Sequence, residues 1–145
     1  MAANSEFVWR EDWRAYYIRH KLSNGQYCMI AFSKFDSGRS IFYYVAFAVA
    51  DKKKVLNGWF VGNKHNNIEL KMTGKCGIEA LIWARDTLLA FEDFVEKDKT
   101  LSTKIIIQGS DPKRFRMYEK VLSKYGYEKS FQFGSWSMVK TLRKE

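Results

Sequence analysis

The sequence has only two cysteines, Cys28 and Cys76, so it offers no framework of disulfides and no thiolate set at metal-ligand spacing. His20 and His65 stand apart without partners at ligand spacing, which excludes a zinc site. With a single proline and nine glycines in 145 residues, long linkers are excluded and short connections are expected. The N-terminus carries Glu6, Glu11 and Asp12 where a secretory leader would have an apolar core. The longest apolar run, Ile41 to Ala50, is too short to span a bilayer and reads as a buried strand. These absences predict a cytoplasmic chain with no membrane contact and no metal.

What is present is apolar and basic. Hydrophobic residues make up 46% and aromatic residues 17%, far too much for a disordered chain. The length suits one domain, 1–145, with one core. Lys and Arg number 25 against 16 Asp and Glu, a net charge of +9 that favours anionic partners: nucleic acid, phosphorylated cofactors or acidic proteins. The densest basic groups are Lys52–Lys54, Lys113–Arg116 and Arg143–Lys144, and solvation alone is an equal reading of them.

The N-terminal half predicts an antiparallel meander. Arg14–Leu22 meets Ser23-Asn24-Gly25, a hairpin signal because Asn and Gly tolerate positive φ. Gln26–Phe35 follows, then a turn at Asp36-Ser37-Gly38 and a central strand at Ser40–Ala50. Asp51–Lys54 reads as a charged turn, Val55–Val61 as a strand, 62–67 as a polar loop and Ile68–Met72 as a further strand. The period then changes. Leu81, Ala84, Leu88, Phe91 and Val95, widened by Ile78, Ile82 and Leu89, predict a helix over Lys75–Glu96 with Arg85, Asp86, Glu92 and Asp93 in solvent. Lys104–Gln108 reads as a strand. Asp111-Pro112 supplies an N-cap and a first helical residue for a second helix, with Gly126 its stop. Phe131–Thr141 supplies a last strand or hairpin. The fold class expected is α/β in the α+β sense, a mixed and mostly antiparallel central sheet flanked by helices.

Two stretches carry chemistry. In the first, the strand Ile68-Glu69-Leu70-Lys71-Met72 runs through Thr73-Gly74-Lys75-Cys76-Gly77 into Ile78 and the long helix. Glycines admit a ligand to the backbone, and the unpaired amides and dipole of a helix start attract a diphosphate, with Lys71 and Lys75 adding charge. A tight strand-to-helix turn explains the same glycines. In the second, Gln108-Gly109-Ser110-Asp111 feeds a helix bearing Arg114 and Tyr118. Tyr118 has a hydroxyl able to donate a proton, and its periodicity equally fits packing beside Phe115 and Leu122.

The order of these stretches resembles the Gcn5-related N-acetyltransferase (GNAT) superfamily. There a glycine loop and long helix cradle the pyrophosphate of acetyl-CoA, and a later helix carries an Asn-x-x-Ala-x-x-Leu-Tyr pattern followed by Gly-Phe. Thr73-Gly74-Lys75-Cys76-Gly77-Ile78-Glu79-Ala80-Leu81 is similar to the loop and helix start, Asp111-x-x-Arg114-x-x-Met117-Tyr118 matches the second pattern in spacing, and Gly126-Tyr127 stands where Gly-Phe would. Lys71 or Thr73 replaces the usual Arg or Gln, Gly77 falls one place late, and four extra residues separate Tyr118 from Gly126. The resemblance implies a GNAT-like fold, acetyl-CoA as cofactor and direct transfer to an amine on a protein, a small molecule or RNA. It implies that Ile68, Leu70 and Met72 pair with the pantetheine arm, Gly74–Ile78 hold the pyrophosphate, Tyr118 protonates the thiolate and Glu69 serves as base. Cys76 is read as a small packing residue without a nearby His to activate it. Small basic members of this superfamily occur in bacteriophages.

A second reading is a non-catalytic binder of nucleic acid or of a host factor. Tyr43, Tyr44, Trp59 and Phe60 would stack on bases, while Lys52–Lys54, Arg114 and Arg116 grip the backbone. Core packing is the competing explanation of those aromatics.

Overall fold

The computed structural model describes residues 7–50, 74–96, 102–108, 112–132 and 135–142. The predicted turn at 51–54, strands at 55–61 and 68–72, and loop at 62–67 lie outside them. Among the described residues there are seven strands and two α-helices: β1 (Val8–Arg10), β2 (Ala15–Lys21), β3 (Tyr27–Asp36), β4 (Ser40–Ala50), α1 (Gly74–Glu96), β5 (Ser102–Gln108), α2 (Pro112–Leu122), β6 (Glu128–Gln132) and β7 (Ser135–Leu142). The strands are ordered β1-β2-β3-β4-β5-β7-β6 in one mostly antiparallel sheet, with β1 and β6 at its edges. The expected α+β class holds at this level.

The chain divides into two compact units that alternate along the sequence, Met1–Ala31 with Ala46–Lys97 and Phe32–Val45 with Asp98–Glu145. In the first, Asn24-Gly25 turns the chain as its residue types require: Gly25 has φ 92°, and the amide of Leu22 bonds the carbonyl of Gln26 at 2.7 Å. The strand β2 places Tyr16, Ile18 and His20 on one face. Its Tyr16 packs edge-on against Phe91 and Phe94 of α1, at 5.8 and 5.1 Å between ring centroids, and His20 stacks on Trp83 at 5.3 Å. The opposite face of β2 carries Tyr17, Arg19 and Lys21. A further cluster joins Leu22, Cys28, Val49 and Ala80, with Phe47 and Trp83 against it.

The stripe on α1 buries Ala80, Leu88, Phe91 and Val95, as its period requires. Two residues depart from expectation. Glu92 is buried, since it follows Leu88 by four and precedes Val95 by three and so shares their face, whereas Ile82 is 45% exposed. The predicted solvation holds for Asp86 and Asp93, and Arg85 is half-buried.

In the second unit, β4 and β5 run parallel with Ser40 opposite Ser102 and Val45 opposite Ile107. β5 then pairs antiparallel with β7, and β7 with β6. Ile105, Ile106, Ile107, Met138 and Leu142 form the core of this unit together with Tyr43, Phe115, Leu122 and Tyr127. After α2, a 3-10 turn at Ser123–Tyr125 ends at Gly126 in the left-handed region, φ 93°, the stop read from the sequence.

Candidate functional site

The helix α1 opens at Gly74, so Gly74 and Gly77 both fall in its first turn, three positions apart and therefore on one face. The first four amides of a helix have no acceptor within it, and in α1 these include the amides of Gly74, Lys75 and Cys76. Glycine inside a helix costs about 1 kcal/mol relative to alanine.

Beyond this turn the helix is fixed to the first hairpin. The Ser23 hydroxyl donates to Glu79 Oε1 at 2.8 Å, and the Ser23 amide donates to both carboxylate oxygens at 3.2 and 3.3 Å. The hydroxyl, then the amide, then the nearby His20 imidazole hold the Glu79 carboxyl below its ordinary value. Because its folded value is depressed, Glu79 contributes stability that is fully present above the ordinary glutamate range and lost as pH falls through the folded value. The melting temperature is therefore expected to drop between roughly pH 5 and that value. Glu79→Gln should flatten this limb in a melting series from pH 7 to acid, and an unchanged limb would show that the contact contributes nothing.

Cys28 is fully buried beneath the same contact. Burial first, and the Glu79 charge second, push its thiol up to about 12, so it is a packing residue at neutral pH and no nucleophile.

The second candidate stretch lies in the other unit. Pro112 is the first residue of α2, as expected, and Tyr118 sits half-buried in its second turn. Phe115 and Leu122 of the same helix are buried, and Arg116 is exposed. Arg114 lies in the first turn. Of the remaining residues inferred for the site, Ile68, Glu69, Leu70, Lys71, Met72, Thr73 and Asp111 fall outside the described residues, and Lys75 and Cys76 lie in the first turn of α1 with Gly74 and Gly77, Ile78 opening the second.

The aromatics of the alternative reading separate. Tyr43 is 4% exposed and belongs to the core, opposite Ile105. Tyr44 is half-buried and meets Phe35 edge-on at 6.3 Å. Trp59, Phe60 and Lys52–Lys54 lie outside the described residues.

The residue types gave no signal for the Ser23–Glu79 contact, which joins positions 56 apart in sequence. An exposed aromatic pair, Phe131 and Trp136, was hidden in the same way, because its partners meet only through the register of β6 and β7.

Among the described residues there is no group of His, Cys, Asp and Glu able to hold a metal ion, and no helix long and apolar enough to cross a membrane. No family model matches the chain, and neither the curated proteins nor the solved structures compared with it give a match.

Proposed function

We propose that the chain is an acetyl-CoA-dependent N-acetyltransferase of the GNAT type, acting by direct transfer to an amine. The observation that supports this reading is that α1 opens at Gly74 with a second glycine three residues on, a helix start whose Gly74, Lys75 and Cys76 amides have no acceptor within the helix and would meet a diphosphate. Its support is the chain order that follows, α1, then β5, then α2 bearing Tyr118 in its second turn.

Such a helix start would suit the diphosphate of coenzyme A, because backbone donors and the positive end of the helix dipole attract anionic oxygens and glycine adds no side chain of its own. Lys71 and Lys75 would add positive charge beside it. When bound, acetyl-CoA supplies an acetyl thioester. Glu69 would take a proton from the acceptor amine, which is mostly protonated at neutral pH and needs a base to become nucleophilic. Tyr118 would hold its phenolic proton at Oη for delivery to the departing sulfur. The acceptor is an amine on a protein, a small molecule or RNA, and the basic charge favours an acidic or phosphate-bearing one.

The test is thermal. Acetyl-CoA at a hundred times its dissociation constant should stabilise the protein by about 2.7 kcal/mol, a rise of roughly 5–10 °C in melting temperature. Coenzyme A should do nearly as well, since the diphosphate is common to both. A melting temperature indifferent to about millimolar acetyl-CoA overturns the proposal.

A further inference from the structure

The second unit carries a surface that acetyl transfer does not use. Its two segments, 32–45 and 98–145, hold thirteen Lys and Arg against six Asp and Glu, which is +7 of the chain's +9. Part of this charge is ordered. Arg116 and Lys120 stand four residues apart on the exposed side of α2, about 6 Å along its axis, and exposed Lys124 follows four residues later in the 3-10 turn.

Beside this stripe lies the β6–β7 hairpin. Phe131 and Trp136 are directly paired across it and therefore share a face, with ring centroids 5.0 Å apart at 65°. They are 58% and 46% exposed, among the largest apolar side chains left in water. Lys129 precedes Phe131 by two and shares its face. Its Nζ lies 5.1 Å from the centre of the Trp136 ring and 3.5 Å from Glu119 Oε2 on α2. One lysine thus touches both the helix that bears the basic stripe and the exposed aromatic pair. Nearby, Lys140 Nζ lies 5.7 Å from the ring of Tyr127.

Exposed rings next to aligned cations suit one chemistry well. Every base has a π-face that stacks on an aromatic ring, and every linkage carries a phosphate for a lysine or arginine. A duplex hides its base faces, so rings of this kind favour an unpaired strand. We propose that this face binds single-stranded nucleic acid, with Phe131 and Trp136 stacking on bases and Arg116, Lys120, Lys124 and Lys129 neutralising phosphates. An acidic protein would answer the charge and leave the two rings without a role.

The experiment is fluorescence anisotropy of labelled oligothymidylate on the full chain at low salt, without acetyl-CoA, so its outcome is independent of the acyl-transfer reading. Oligothymidylate should bind more tightly than the same strand annealed to oligoadenylate. Its affinity should fall linearly with salt on a log–log plot, by about 0.7 per phosphate neutralised. Phe131→Ala and Trp136→Ala should each weaken binding about tenfold with the slope retained, and Trp136→Phe should restore most of it. Arg116→Ala and Lys120→Ala should instead lower the slope by about 0.7 each. All four positions are on the surface, and unchanged melting temperatures verify folding.

Binding weaker than about 100 µM at low salt overturns the proposal, as does equal affinity for duplex or full affinity in the Phe131→Ala, Trp136→Ala double variant. Sedimentation supplies one more opposing outcome. If Trp136→Ala turns a dimer into a monomer and leaves oligothymidylate affinity untouched, the face joins two copies of the chain.

Discussion

Phe91→Ala is expected to cost about 3–5 kcal/mol, close to the whole stability of a marginal domain. Phe91 is fully buried and meets three other rings: Phe7 at 5.2 Å, Tyr16 at 5.8 Å and Phe94 at 5.8 Å. Phe7 and Tyr16 also meet Phe94, at 5.2 and 5.1 Å, so the four rings close on one another. Truncation removes the apolar transfer energy of the ring, leaves a cavity the backbone cannot fill, and deletes edge-to-face contacts worth about 0.5–1.5 kcal/mol each. Phe91→Leu should cost only about 1–2 kcal/mol, because it retains most of the volume. Urea unfolding checks both, through a midpoint that falls while the slope stays constant. A loss below about 1 kcal/mol for Phe91→Ala would mean that the ring cluster is not what holds α1 to β1 and β2.

Tyr118→Phe is expected to lower acetyl transfer by about a hundredfold or more while coenzyme A affinity changes by less than about twofold. The substitution removes one hydroxyl and keeps the ring, so packing beside buried Phe115 and Leu122 is preserved. Loss of a general acid raises the barrier for the departing thiolate and leaves the diphosphate contacts intact. Equal losses in turnover and cofactor affinity would make Tyr118 a packing residue, and unchanged turnover would remove it from the chemistry.

Much of the described fold was legible because the signals were local. Asn24-Gly25 and Ser37-Gly38 marked turns, and both glycines, at φ 92° and 89°, occupy backbone that other residues avoid. Pro112 and Gly126 bounded the second helical segment for equally local reasons. Strand β1 escaped because three residues, Val8–Arg10, give alternation no length to show itself. Its position comes from pairing, with Trp9 opposite Tyr16 and their rings 4.9 Å apart. Glu92 is buried against the expectation from its charge, because a carboxylate between Leu88 and Val95 goes where the helical period takes it.

The candidate site was legible only in part. The two glycines read as a turn leading into the helix, and Gly74 and Gly77 instead lie within the first turn of α1 itself. The clamp from Ser23 to Glu79 and the Phe131–Trp136 pair depend on which segments lie side by side. Neither residue of either pair carries that information alone.

The alternation of the two units along the chain sets how the protein can be dissected. The parallel ladder joins Ser40–Val45 to Ser102–Ile107, so one side of β5 is closed by residues about sixty positions upstream. A fragment beginning at residue 98 would keep β5, β7 and β6 yet leave the Ile105-centred strand with a naked, hydrophobic margin. Such a piece would seek a substitute strand from another molecule and aggregate. During synthesis the same margin waits open in reverse, because β4 emerges about sixty residues before the strand that closes its ladder.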